Sequence, residues 1–300
     1  MNHLFVNDIS GWDSWGNVFQ SISAFESLIK YIFEKENLPY SKVENCTPGT
    51  NAVYKVGNYI IKIFAPEESG IDSTTDFETE AFAMNRATML GVNVPKLITK
   101  GYVKDKYNFS YMIMDYIDGT EINKLSQQFT FEEKLKIGKR LRSLTDAINK
   151  PCIAFNNIDV VHDSNRQVRW RKYPERFKVE RLDYIQSYDY GEKVFVHGDL
   201  NGDNILINQE KELYIIDFAD AVLAPIIYEH ALIVTELFRF DKAYIEGYFG
   251  EYDVEQLTEL CFNGLLIHDF GGDIMEQHIS QVSEFESLDI LRKKLYQLLK

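Results

Sequence analysis

Residues 194–204 read VFVHGDLNGDN, and the chain continues through ILIN (205–208) and QEKE (209–212) to LYIIDFAD (213–220). A β-rich apolar triplet stops at His197, and a loop packed with polar side chains follows at once. Behind it, ILIN and LYIID read as the two strands of a hairpin joined by QEKE. A hairpin returns its second strand beside its first. Asp217, 13 residues after Asn204, is thereby carried back beside the loop from which the hairpin set out. Asp199, Asn204 and Asp217, separated in the chain, are brought to one point.

Oxygen donors of this kind suit a hard cation. Mg²⁺ takes one or two protein oxygens and completes its octahedron with phosphates and water. Phosphoryl transfer asks for a metal on the phosphates, an acceptor hydroxyl held in line, and charge to offset what develops. Asp199 and Asn204 lie five residues apart at opposite ends of the loop. That separation lets the first meet a hydroxyl while the second reaches a metal.

Upstream, AVYKVGNYIIKIFAP (52–66) reads as two strands about Gly57-Asn58, a two-residue hairpin signal. Lys62 is the one charge inside the apolar YIIKIF run, and a lysine there is unfavourable unless something anionic meets it. Apolar residues at helical spacing from Phe19 to Phe33 predict an amphipathic helix over about 18–37, ending before Pro39. A second helix is expected over TTDFETEAFAMNRATML, closed by Gly91, and strands over VPKLITKGYV and NFSYMIMDYID. Residues 1–118 thus read as an α+β lobe with an antiparallel sheet. Residues 119–300 read as mostly helical, beginning with TFEEKLKIGKRLRSLTDAIN, where Thr130 and Glu133 spell a capping box. From Ala221 to Lys300 only helices are expected.

HGDLNGDN followed by IIDFAD resembles the H-x-D-x-x-x-x-N loop and metal-binding aspartate of the protein-kinase-like fold. The spelling H-G-D, without Asp-Phe-Gly at the second site, is most similar to the aminoglycoside phosphotransferase family; choline, homoserine, methylthioribose and fructosamine kinases share much of the pattern. The likeness covers about residues 47–240, with motifs dense near 47–62, 111–120 and 195–220. It implies a bilobal α+β fold, with a small N-terminal lobe (1–118) holding an antiparallel sheet and one key helix, and a larger, mainly helical C-terminal lobe (119–300). It also implies a small-molecule kinase that uses Mg²⁺ and ATP or GTP. Asp199 would be the catalytic base or hydroxyl-orienting carboxylate, Asn204 and Asp217 the metal ligands, and His197 a brace of the loop. Lys62 would contact the α- and β-phosphates and pair with Glu80, with Glu78 as the alternative. CTPGTNAVYKV would hold the phosphate-covering turn through Gly49, Thr50 and Asn51, although only one glycine is present there. YMIMDYIDGTEI resembles the hinge whose backbone at Asp115 and Ile117 meets the purine edge.

The chain has 300 residues, 45% of them hydrophobic, and a net charge of −14. Between Ala221 and Ile290 fourteen carboxylates face only Arg239 and Lys242. Such a segment repels nucleic acid and attracts cations. Together with the resemblance, it points to a cationic acceptor, an aminoglycoside-type antibiotic first and a choline, homoserine, methylthioribose or sugar substrate second. Asp220, Glu229, Glu236, Asp269 and Asp273 are the candidate acids for gripping it. A pseudokinase binding module is the reading from another class, disfavoured because Lys62, Asp199, Asn204 and Asp217 are all present. HDFGG at 268–272 spells a kinase metal triplet but follows a helical run, so Asp269 is not expected to be a ligand. The basic, aromatic-rich stretch 166–181 is read as a helical surface. Three scattered cysteines, no secretory pattern and no long apolar run suggest a cytoplasmic protein, with neither nucleic-acid nor membrane partners, working as a monomer or weak dimer.

Overall fold

The computed structural model describes residues 3–47, 49–163 and 168–300. Two compact units are present. The first comprises residues 1–88 and 94–118, the second residues 89–93 and 119–300.

The first unit is built on a five-stranded antiparallel sheet of β1 (Val43–Asn45), β2 (Ala52–Val56), β3 (Tyr59–Ile63), β4 (Leu97–Lys104) and β5 (Asn108–Asp115), in the order β1-β2-β3-β5-β4. Gly57, at φ +62°, makes the β2–β3 turn that the Gly-Asn pair predicted. Alternation along each strand gives the sheet two different faces. Tyr54, Val56, Ile61, Ile63, Tyr111 and Ile113 form one, in a single apolar cluster with Phe25, Leu28, Ile29, Ile32 and Phe33 of helix α2 (Ile22–Lys35). The other face carries Val53 opposite Lys62, and Lys62 opposite Met112. A short helix α1 (Trp12–Gly16) precedes α2, and α3 (Ser73–Met89) joins β3 to β4.

In the second unit, β6 (Gly119–Glu121), β8 (Ile205–Asn208) and β9 (Leu213–Ile215) form a three-stranded sheet with β8 central. Asn93 belongs to this unit because its carbonyl accepts the Ile215 N–H at 3.0 Å and its side-chain amide donates to the Leu213 carbonyl at 3.3 Å. Strand β7 (Lys193–Val196) pairs antiparallel with β10 (Val222–Pro225). The expectation of helices alone after Ala221 is corrected here. Four residues ending in proline carry little strand signal of their own, and only pairing with β7 makes them one. Helices make up the rest: α4 (Ile122–Leu125), α5 (Phe131–Ile148), α6 (Glu175–Ser187), α7 (Ile227–Leu232) running into a π-turn (Ile233–Leu237), α8 (Lys242–Phe249), α9 (Val254–Ile267), α10 (Gly271–His278) and α11 (Leu288–Leu299). The Thr130–Glu133 capping box forms at the start of α5. Helix α5 lies backbone to backbone on α8, since a Cβ at Gly247 would stand 2.3 Å from the Leu135 carbonyl oxygen. In the stretch 166–181, residues 166 and 167 lie outside the described residues, and α6 begins at Glu175. Among the described residues, no helix is long and apolar enough to cross a membrane.

One buried group makes the second unit acid-sensitive. His230 of α7 sits edge-on to Tyr248 and Phe249, 5.7 and 5.4 Å between ring centroids. Burial, helped by Arg142 and opposed by Asp146, pushes its pKa down to about 4 from 6.5. As pH falls below 6.5, the unfolded chain takes up this proton before the folded one does. The stability His230 contributes is therefore complete above pH 6.5 and is lost progressively toward pH 4, about 3 kcal/mol at most. Denaturant unfolding of His230→Gln and its parent across that window should show a shallower loss in the variant; parallel curves would contradict the assignment.

Candidate active site

The loop between β7 and β8 is held from beneath by hydrogen bonds that leave His197 no freedom. Its Nδ1 accepts the Asp199 N–H at 3.2 Å, so Nε2 carries the proton and donates to the Ile216 carbonyl at 2.9 Å. His197, fully buried and tilted against the Phe218 ring 4.5 Å away, ties the loop to the residue preceding Asp217. Gly198 lies against Asp220: a Cβ there would be 2.1 Å from the Asp220 carbonyl oxygen, and its φ of +85° favours glycine. At the other end, Asn123 donates its N–H to the Gly202 carbonyl (3.2 Å) and its side-chain amide to Asp203 (3.1 Å).

Within this frame Asp199 accepts from Asn201 Nδ2 at 3.0 Å and from Asn204 Nδ2 at 3.1 Å; Asn204 Nδ2 also reaches the Asp199 main-chain carbonyl at 2.8 Å. With its amide nitrogen committed to Asp199, Asn204 offers its Oδ1 to anything else. Asp217 stands exposed just beyond β9 with φ +59°, a left-handed conformation that aspartate tolerates better than most residues. Burial and the charges of Asp220, Glu236 and Asp217, in that order, push Asp199 up to about 8. The hairpin therefore brings Asp217 within electrostatic reach of Asp199.

Burial first, and then the repulsion of neighbouring carboxylates, raises Asp199 that far, and such a place favours a cation. Among the described residues, no group of three or more His, Cys, Asp or Glu side chains could hold a metal by itself. The donor set left is Asp217 with the Asn204 amide oxygen. Two oxygens fit an ion that takes the rest of its shell from phosphates and water, so these residues suit Mg²⁺.

Sequence reasoning offered five acids for gripping a substrate, and the structure separates them. Glu229 is corrected: fully buried on α7, it accepts the His197 N–H at 3.1 Å and the Gly198 N–H at 3.0 Å, with Asn149 Nδ2 at 3.4 Å. It supports the loop from inside and presents nothing to a ligand. Asp273 is bound by Lys172 at 2.7 Å and Arg169 at 2.6 Å, which hold its carboxyl below the usual range. Asp269 lies at the α9–α10 junction, its N–H donated to the Tyr228 hydroxyl at 3.2 Å, with Arg169 4.0 Å from its carboxylate. Asp220 and Glu236 are the two that act on Asp199. Burial raises Glu236, Arg239 opposing and Asp203 adding to the effect. Asn123 and Asn149 escaped sequence reasoning altogether, since an asparagine on a helix or in a loop carries no signal of a partner far along the chain.

In the first unit, Lys62 Nζ lies 2.7 Å from Glu80 Oε2, with both side chains buried. Glu78 is used elsewhere, on the exposed side of α3, where it accepts from Lys100 at 2.9 Å and the Tyr102 hydroxyl at 3.1 Å. In the turn before β2, Gly49 has open space around it, Thr50 gives its carbonyl to Trp15 Nε1 at 2.9 Å, and Asn51 Oδ1 accepts the Ala65 N–H at 3.1 Å. Pro48 lies outside the described residues. The Asp115 N–H is donated to the Lys96 carbonyl at 3.0 Å, so that donor is already used, and Ile117 follows two residues on.

Among solved structures, the chain is similar to the GDP complex of wild-type aminoglycoside 2'-phosphotransferase-IIIa, at 16% identity and TM-score 0.60 over 93% of this chain and 99% of that one. It is similar also to a thermostable mutant of aminoglycoside phosphotransferase APH(4)-Ia in ternary complex with ADP and hygromycin B, at 14% identity and TM-score 0.56 over 91% and 98%. A choline/ethanolamine kinase family protein from Mesorhizobium loti aligns at 14% identity and TM-score 0.51 over 87% and 88%. These likenesses show the fold. No curated protein matches the chain. Residues 49–260 match the profile of the phosphotransferase enzyme family, APH, which includes Lys62, Glu80, Asp199, Asn204 and Asp217. That match spans well over half of the sequence, and the chain belongs to this family of phosphotransferases.

Proposed function

We propose that the protein is a small-molecule kinase that transfers the γ-phosphoryl group of ATP or GTP to a hydroxyl of a cationic acceptor, an aminoglycoside-type antibiotic first among candidates. The observation that carries the reading is the loop–hairpin constellation: Asp199 held by Asn201 and Asn204, and Asp217 acting on it from the end of β9. Asp199 is the group that takes the hydroxyl hydrogen bond and orients the acceptor oxygen. Asn204 Oδ1 and Asp217 would hold Mg²⁺, which when bound neutralises charge on the phosphates. Lys62, kept in place by Glu80, contacts the α- and β-phosphates, the Thr50–Asn51 turn covers them, and the backbone at Asp115 and Ile117 meets the purine edge. Asp220 and Glu236, the acids nearest in effect to Asp199, favour an acceptor with ammonium groups near its reacting hydroxyl. A cytoplasmic location accords with nucleotide use.

The test is a coupled nucleoside-diphosphate release screen with ATP and GTP against aminoglycosides, choline, homoserine and methylthioribose. Turnover with a cationic acceptor is the expected result; turnover with neutral sugars alone would remove the cationic acceptor and leave the kinase. Alongside it, Asp217→Ala should weaken nucleotide binding about ten-fold or more in Mg²⁺ and leave it unchanged in EDTA, by calorimetry. Equal weakening in both media would take Asp217 off the metal.

A further inference from the structure

The N-terminal segment precedes the family match, which begins at residue 49, yet it is built firmly into the first unit. The N–H groups of Leu4 and Phe5 bond the Asp105 carboxylate at 3.1 and 2.9 Å, and the Gly11 N–H bonds the Glu68 carbonyl at 2.7 Å. The Phe19 carbonyl accepts the Tyr54 hydroxyl at 2.9 Å. Between these ties lies Trp15, fully buried, its ring stacked on Phe19 and edge-on to Phe25 at 6.2 and 5.8 Å. Its Nε1–H is donated to the Thr50 carbonyl at 2.9 Å.

That carbonyl belongs to the Thr50–Asn51 peptide. Among the described residues there are no cis peptide bonds, and a planar trans peptide points its C=O and its N–H in opposite directions. Trp15 lies in the cluster on the α2 face of the sheet. By holding the carbonyl toward that face, it turns the Asn51 N–H toward the other, which carries Lys62 and Glu80. The Asn51 side chain is fixed as well, through Ala65. The direction of one backbone donor in the turn is therefore set by an indole whose bond to Thr50 spans 35 residues of sequence.

We propose that Trp15 is a positioning residue for the nucleotide: its indole N–H orients the Thr50–Asn51 peptide so that the Asn51 N–H meets a phosphate oxygen of a nucleoside triphosphate. The N-terminal segment thereby sets nucleotide affinity without touching the nucleotide. The idea rests on the turn being the phosphate cover of the kinase proposed above.

Trp15→Phe keeps an aromatic ring in the core and deletes the N–H. Titrated calorimetrically with MgATP and MgGTP well below its unfolding temperature, W15F should bind about five-fold more weakly than the parent, the effect of one neutral hydrogen bond. Tyr54→Phe removes the hydroxyl that bonds Phe19 on the same segment; it should lower Tm and leave nucleotide affinity alone. Parental affinity in W15F, or equal weakening in Y54F, overturns the proposal, because the segment then only supports the fold. The coupling can also be read without substituting Trp15: its indole N–H resonance should shift on nucleotide addition more than those of Trp12 and Trp170, and an unmoved resonance overturns the proposal too. A parent that binds neither nucleotide removes the phosphate-cover reading and this proposal together. A parent that binds, matched by W15F, removes this proposal alone.

Discussion

Asp199→Asn should lower turnover at least about a thousand-fold, the scale of losing a positioned proton acceptor, while nucleotide binding stays close to parental. The substitution preserves size and removes the ionisable carboxyl. Asparagine can accept from only one of the two amides, Asn201 Nδ2 and Asn204 Nδ2, that now approach the carboxylate. Stability should move the other way. Asp199 is the carboxyl on which burial and the charges of Asp220, Glu236 and Asp217 converge, raising it to about 8. At neutral pH the unfolded chain gains by ionising it and the metal-free folded chain does not, so replacing it should raise Tm by a few degrees in metal-free buffer. A gain in stability with a loss of activity is the signature of a strained functional group. Steady-state turnover and a thermal melt of the same preparation check both halves. A variant that keeps a tenth of parental turnover would end the assignment of Asp199 as the group that handles the acceptor hydroxyl.

Glu229→Ala is expected to destabilise the protein by about 4 kcal/mol, since it strips acceptors from two buried N–H groups at about 1–3 kcal/mol each. Those groups are the N–H of His197 and of Gly198, both held by the one carboxylate. Tm should fall by about 10 °C. Turnover should fall too, about a hundred-fold, because tilting the loop displaces Asp199 from in-line geometry. Glu229→Gln, which keeps a carbonyl oxygen for one of the two N–H groups, should lie between Ala and the parent in both respects. An alanine variant that melts with the parent would show that the loop is held by other means. A low-temperature activity assay of the folded fraction separates the catalytic loss from the loss of fold.

Different residues of the site differ in how readable they are from sequence. The run 197–204 and the return strand ending at Asp217 are local features: their spacing is enforced by one loop and one hairpin, so chain order carries their geometry. Lys62 is readable for a related reason, as a lone charge in an apolar strand that needs an anion, and the buried Glu80 carboxylate supplies one at 2.7 Å. Glu229 shows where such reading stops. In the sequence it is one more acid in an acidic tract, a candidate for gripping a cationic acceptor. Its role exists only because α7 packs beneath the end of β7 and places a carboxylate below two adjacent N–H groups. Asp273 is joined in an ion-pair cluster with Arg169 and Lys172 that chain order does not announce.

By itself the sequence determined the α+β character, the hairpin at Gly57-Asn58, the capped helix after Thr130, and the three oxygen donors of the loop and hairpin. These follow from short-range rules: side-chain periodicity, turn stereochemistry, and the return of a strand on its partner. Tertiary structure alone decided that Glu229 lies inside, that Val222–Pro225 is a strand, that Asp220 and Glu236 are the acids coupled to Asp199, and that Trp15 holds the Thr50 peptide. Each of these depends on which distant group arrives alongside. A buried polar atom or an unpaired strand is stabilised only by the partner that packing brings to it.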